Sequence, residues 1–119
     1  MIDRETFEQL VAQAMDSLPE EIARAVDNVE VVVEEEPPEE YLEGLSPGQT
    51  LLGHYHGIPL TARSHYDRVL PDRISIYRGP ITRIARSPSA IKEQVRRTVI
   101  HEVAHHFGID DPRLRELGW

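Results

Sequence analysis

The sequence predicts an α+β domain. Apolar residues recur at helical spacing near both ends of the chain, and short β-branched or alternating runs lie between them. Turns containing proline or glycine separate these runs. The 119 residues suit one compact domain spanning residues 1–119, large enough to bury a core without cross-links.

Residues 3–18 form the first predicted helix, in which Phe7, Leu10, Val11, Ala14, Met15 and Leu18 repeat at three- and four-residue steps. Asp3 can cap its first turn, and Ile2 can pack across that turn onto Phe7. Pro19 opens a short second helix through Ala25, with Glu20 and Glu21 at the end where the helix dipole favours negative charge. Val29–Val33 is β-branched and predicts a strand. The run from Glu34 to Glu40 joins two prolines to like charges and predicts a solvated loop, with Tyr41 and Leu42 tying its end to the core.

Ser46-Pro47-Gly48 predicts a turn. Leu51–Tyr55 predicts a second strand, limited by Gly57 and Pro59, with Ile58–Ala62 continuing it after a bend. Pro71-Asp72 predicts another turn, Arg73–Tyr77 a third strand, Gly79-Pro80 its end and Ile81–Arg86 a short helix. Ser87-Pro88 then starts the longest helix, a serine cap followed by proline at the first helical position, which reaches about Phe107. Ile91, Val95, Val99 and Val103 form one ridge, broadened by Ile100, Ala104 and Phe107. At about 100° per residue, His101 and His105 lie within roughly 40° of each other and nearly opposite Val99 and Val103. This helix therefore has a core face and a separate polar face. Gly108 can take a left-handed conformation that ends it, letting Ile109 pack back on the last turn.

Composition narrows the chemistry. The chain has no cysteine, which excludes disulfides, thiolate metal ligands and a cysteine nucleophile. Any metal must be held by His, Asp or Glu, a donor set that suits zinc. Net charge is -8, which argues against a nucleic-acid binder. Residues 1–50 carry 14 acidic and 2 basic residues, residues 51–119 carry 7 and 11, so the halves stand near -12 and +4. The expectation is that they fold against each other, with Arg63, Arg68, Arg73, Arg78, Arg83 and Arg86 facing the acidic half. No apolar run is long enough for a membrane span, and the acidic amphipathic N-terminus is unlike a signal peptide; the expected location is the cytoplasm.

His101-Glu102-Val103-Ala104-His105 carries the function. Imidazoles four residues apart project from one helix face and can share one metal ion. A glutamate beside the first histidine can take a proton from a metal-activated water. A catalytic zinc site usually has three protein ligands. Gly108 permits the turn that brings back the third, which Asp111 or Asp110 can supply.

The pattern His101-Glu102-x-x-His105-x-x-Gly108-x-x-Asp111 resembles the metzincin zinc signature in its aspartate variant. With Leu60–Ser64, Pro71–Ile74 and Tyr77–Ile81, it makes nearly the whole chain resemble the small bacterial zincin-like metallopeptidases. The resemblance implies a minimal zincin fold, in which a helix near the C-terminus carries the metal under a small mixed sheet. It also implies Zn2+ held by His101, His105 and Asp111, Glu102 as general base, and a peptide or protein as substrate. The sequence departs from metzincins in one respect: no methionine follows Asp111, since the two are Met1 and Met15.

Other residues are secondary candidates. His106 points about 100° away from His105 and suits a supporting hydrogen bond better than metal ligation. His54 and His56 share a strand face, and with His65 can line a cleft or hold a second metal, although exposed loop positions are the simpler expectation. Tyr55, Tyr66 and Tyr77 can stabilise an oxyanion but are equally sheet or rim residues. An exposed strand edge, from Leu51–Tyr55 or Ile74–Tyr77, can receive a peptide by main-chain pairing. The leading expectation is therefore a zinc metallopeptidase. The alternatives are a non-catalytic metal-stabilised or peptide-binding module, and a hydrolase of small amides using the same water chemistry.

Overall fold

The computed structural model describes residues 2–45, 51–57, 72–109 and 111–116, with the backbone alone at 111 and 114. The expected turn at Ser46–Gly48, the extension Ile58–Ala62, and Arg63, His65, Tyr66, Arg68 and Asp110 lie outside these residues. In chain order the elements are α1 (Arg4–Asp16), α2 (Glu20–Ala25), β1 (Val29–Glu34), α3 (Glu39–Leu42), β2 (Gly53–His56), β3 (Asp72–Tyr77), α4 (Arg78–Ile84), α5 (Pro88–His106) and α6 (Asp111–Glu116).

Among the described residues the sheet is mixed and three-stranded, in the order β1-β3-β2. β1 runs parallel to β3 with Val31 opposite Ile74, and β2 runs antiparallel to β3 with Tyr55 opposite Ile74. Because side chains alternate across a strand, Val33, Tyr55, Ile74 and Ile76 share the face that meets the helices. There they join Phe7, Leu10, Val11 and Ala14 of α1 and Ile91, Val95, Val99, Ile100, Val103 and Ala104 of α5 in one buried cluster. The ridge expected on α5 is thus the core ridge. Phe107 is the exception: its residue caps the helix and stands 51% exposed, since the chain has already left the helical path that would turn the ring inward.

Capping follows local chemistry. The Asp3 carboxylate accepts from the Thr6 backbone N–H at 2.8 Å, and Ser87 Oγ accepts from that of Ala90 at 3.1 Å. At the other end of α5, Gly108 has φ 73°, the Ile109 N–H donates to the Ala104 carbonyl at 2.7 Å and the Gly108 N–H to that of His105 at 3.3 Å. This pair of bonds is a Schellman motif, which satisfies carbonyls that the helix end would otherwise leave open.

Three expectations from sequence need correction. α4 begins at Arg78, so Gly79 and Pro80 lie within its first turn, where a missing proline N–H costs no helical hydrogen bond. Glu34–Glu40 is not simply a solvated loop: Glu34 ends β1 and Glu39 starts α3. Glu35 pairs with Arg78 at 2.8 Å, and Glu36 with Arg83 at 2.8 Å. These pairs join the acidic and basic halves, as the charge distribution anticipates. Leu42 is 41% exposed and does not tie the segment to the core; Tyr41 does the anchoring, stacked on His54 at 4.8 Å. Among the described residues, no helix is long and apolar enough to cross a membrane.

Candidate metal centre

The long helix presents its polar face beside β2, which is at the edge of the sheet among the described residues. His101 and His105 are both exposed there, while Val99 and Val103 on the opposite side are fully buried. The two imidazole rings are 6.4 Å apart between centroids, with planes inclined by 67°. With zinc–nitrogen distances of roughly 2.0–2.1 Å, two imidazoles on one tetrahedral ion stand about 5 Å apart between centroids, so sharing an ion requires rotation of one of these exposed side chains. Two imidazoles one helical turn apart are nevertheless donors of the kind zinc takes. The Asp111 backbone opens α6 directly after the Gly108 turn. Its carboxylate and all of Asp110 lie outside the description. Among the described residues, no group of three or more His, Asp or Glu side chains forms a metal cage.

Glu102, next to His101 in the chain, is half-buried between α5 and β2. Burial lifts its carboxyl above the usual carboxylate range, because desolvation disfavours the charged form. His54, His105, a hydrogen bond from the Tyr55 backbone and His101 pull the other way. The Tyr55 contact follows from the strand register. The Tyr77 N–H donates to the Leu52 carbonyl at 2.9 Å, and antiparallel pairing alternates inward and outward backbone groups. Gly53 and Tyr55 therefore direct their backbone groups away from β3, toward the edge where Glu102 lies.

Of the two strands considered for a peptide-receiving edge, β3 is now excluded, because it is the central strand. Among the described residues β2 is an edge strand. It packs closely on α5: a Cβ added at Gly53 would lie 2.6 Å from Thr98 Cγ2 and 3.0 Å from the Ser75 carbonyl oxygen. Alongside this contact runs an open cleft of about 340 Å3, walled by Leu51, Leu52 and Gly53 on one side and by Gln94, Arg97, Thr98, His101 and Glu102 of α5 on the other.

The remaining candidates find defined places. His54 and His56 are not exposed loop residues; both sit half-buried on β2, 4.4 Å apart between centroids, and His56 Nε2 is 3.2 Å from Ser75 Oγ. Burial, then the charges of His54 and Arg73, depress the His56 pKa, with Glu34 opposing. His106 stacks on Tyr55, whose hydroxyl donates to Asp72 Oδ2 at 2.7 Å. His106 Nε2 lies 3.9 Å from the same oxygen. Tyr77 is fully buried behind the sheet and is no oxyanion donor. Sequence reasoning missed the Tyr55 backbone and Arg97. The first carries no residue-type signal, but the second sits four residues before His101 and is visible on the same helical face.

A conserved hypothetical protein from T. thermophilus, of solved structure, is similar to this chain with 28% identity and a TM-score of 0.57, over 89% of this chain and 94% of that one. No curated protein matches the sequence. The model of the zincin-like metallopeptidases matches residues 26–119, a span that holds the whole sheet, α5 and the motif. The chain belongs to the zincin-like metallopeptidase family.

Proposed function

We propose that this chain is a zinc-dependent peptidase in which His101, His105 and Asp111 hold the metal and Glu102 is the general base. The observation that carries this reading is the setting of Glu102: a half-buried carboxylate beside two metal-competent histidines, facing β2, which is an edge strand among the described residues. A structural metal site needs no such carboxylate. Zinc, when bound, supplies Lewis acidity that polarises a carbonyl and acidifies water.

The chain's own residues do the rest. A substrate peptide pairs with the outward backbone groups of Gly53 and the outward carbonyl of Tyr55, which fixes its own backbone along the cleft. Glu102 takes a proton from the attacking water and returns it to the leaving amine. The Tyr55 N–H holds the carboxylate at the strand edge, and His54 adds a second ring near it.

The test is a Glu102→Gln variant, with zinc content and peptide cleavage measured together. The expected result is stoichiometric zinc in both proteins and cleavage by the wild type alone, reduced at least about a hundredfold in the variant. Cleavage retained by Glu102→Gln overturns the assignment. Zinc bound without cleavage of any peptide by wild type would favour a non-catalytic module instead.

A further inference from the structure

We propose that Arg97 makes the cleft beside His101 selective for peptides bearing a carboxylate near the scissile bond. This rests on the peptidase reading above. Arg97 stands one helical turn before His101 on the same face, about 6 Å along the axis. A paired peptide advances roughly 3.3 Å per residue, so a group reaching Arg97 lies about two residues from the bond under attack. Among the described residues, Arg97 is the one arginine or lysine lining the cleft.

The surroundings leave its charge available. Glu93 pairs with Arg96 at 3.1 Å and more distantly with Arg97 Nε at 3.9 Å. The Arg97 side chain is 65% exposed. Glu102, the one carboxylate lining the cleft among the described residues, is bonded to the Tyr55 backbone. The Thr98 hydroxyl donates to the Gln94 carbonyl at 2.8 Å, so its methyl faces Gly53. Leu51, Leu52 and Gly53 form an apolar wall opposite α5. Charged recognition at this point therefore rests on the Arg97 guanidinium, whose planar fork matches a carboxylate.

The carboxylate can come from an acidic side chain or from a free C-terminus. A peptide series with one Glu walked along an otherwise uncharged chain, each member made as free acid and as amide, separates the two. Cleavage is measured for zinc-loaded wild type, Arg97→Ala and Arg97→Lys, and each protein's preference is taken as a ratio within its own series, so that any general loss cancels. Wild type is expected to favour the carboxylate peptides about five- to tenfold, Arg97→Ala to show no preference, and Arg97→Lys to retain part of it. The walk shows whether side chain or C-terminus is read. A wild-type ratio near one, or one unchanged in Arg97→Ala, overturns the proposal while leaving the peptidase reading intact. Should wild type cleave nothing, the peptidase reading fails, and fluorescence anisotropy with the same peptides decides: carboxylate-dependent binding lost in Arg97→Ala retains the site, and binding indifferent to the carboxylate, or absent, removes it.

Discussion

The ring of His106 stacks on that of Tyr55, with 4.0 Å between centroids and 26° between planes. One partner belongs to the helix that carries the metal-competent histidines, the other to the strand whose backbone holds Glu102. The stack, with the Tyr55 hydroxyl on Asp72, therefore pins β2 against the C-terminal half of α5. Tyr55→Phe keeps the stack and removes one part-buried hydrogen bond, for an expected cost of about 1 kcal/mol. His106→Ala removes the stack and is expected to cost about as much, roughly 0.5–1.5 kcal/mol. Urea unfolding measures both. Hydrogen exchange at the Tyr55 amide should accelerate in each variant more than exchange within α1; equal effects on both would show that the contact does not locate β2.

Gly53 sets how closely β2 approaches the helix about two turns earlier, at Thr98. Alanine there brings a methyl against Thr98 Cγ2 and the Ser75 carbonyl oxygen, so the strand must move outward. Gly53→Ala is expected to destabilise by about 1–3 kcal/mol, as overpacking does. Thr98→Ser removes the opposing methyl while keeping the hydroxyl that bonds the Gln94 carbonyl. A double-mutant cycle should show Thr98→Ser recovering part of the loss. Additive effects would place the strain at Ser75 instead.

The parts of this molecule that the sequence makes legible are those decided locally. Asp3, Ser87-Pro88 and Gly108 mark helix ends through bonds that span only a few residues. The shared face of His101 and His105 follows from helical periodicity alone. What the sequence conceals depends on pairing across the chain. Glu34–Glu36 reads as a solvated charge run because its partners Arg78 and Arg83 lie more than forty residues away. Gly79-Pro80 reads as a turn, although the glycine is needed because a Cβ there would collide with the Glu36 carboxylate and the Glu35 carbonyl. The contact between Glu102 and the Tyr55 backbone follows from the register of Gly53–His56 on Arg73–Ile76, and a backbone N–H carries no residue label.

Tyr77 provides a pH signature for the far side of the sheet. It is fully buried, and its hydroxyl lies beside Ser75 without completing a hydrogen bond. Burial, followed by the charge of Glu34 and by Tyr41, pushes its pKa from 10.0 up to about 12. Below pH 10.0 the phenol is protonated in both folded and unfolded chains, so titration leaves stability unchanged. Between 10.0 and about 12 the unfolded chain ionises first, and this group's contribution is lost as pH rises. Tyr77→Phe should be nearly neutral at pH 7 and should flatten this limb. Urea midpoints at about pH 9 and about pH 11.5 test it, and equal slopes in the two proteins would show that Tyr77 is not the group titrating.

In the proposed zinc site, Gly108 and the aspartate three residues later are the last link between fold and metal. At φ 73° the glycine makes the Schellman turn, and a Cβ there meets no heavy atom within 4 Å, so alanine brings backbone strain without a steric clash. Gly108→Ala is expected to cost about 1–2 kcal/mol of stability. Because that turn leads into the start of α6, the same change should also weaken zinc binding if Asp111 is a ligand. Asp111→Asn then removes the anionic donor and should lower zinc affinity at least about a hundredfold, beyond the effect of losing a supporting contact. Asp110→Asn should retain zinc near the wild-type level. Competition titration with a chromophoric chelator reads all three variants on one scale. If Asp110→Asn loses zinc and Asp111→Asn keeps it, the third ligand lies one residue earlier, and the turn delivers it by a different path.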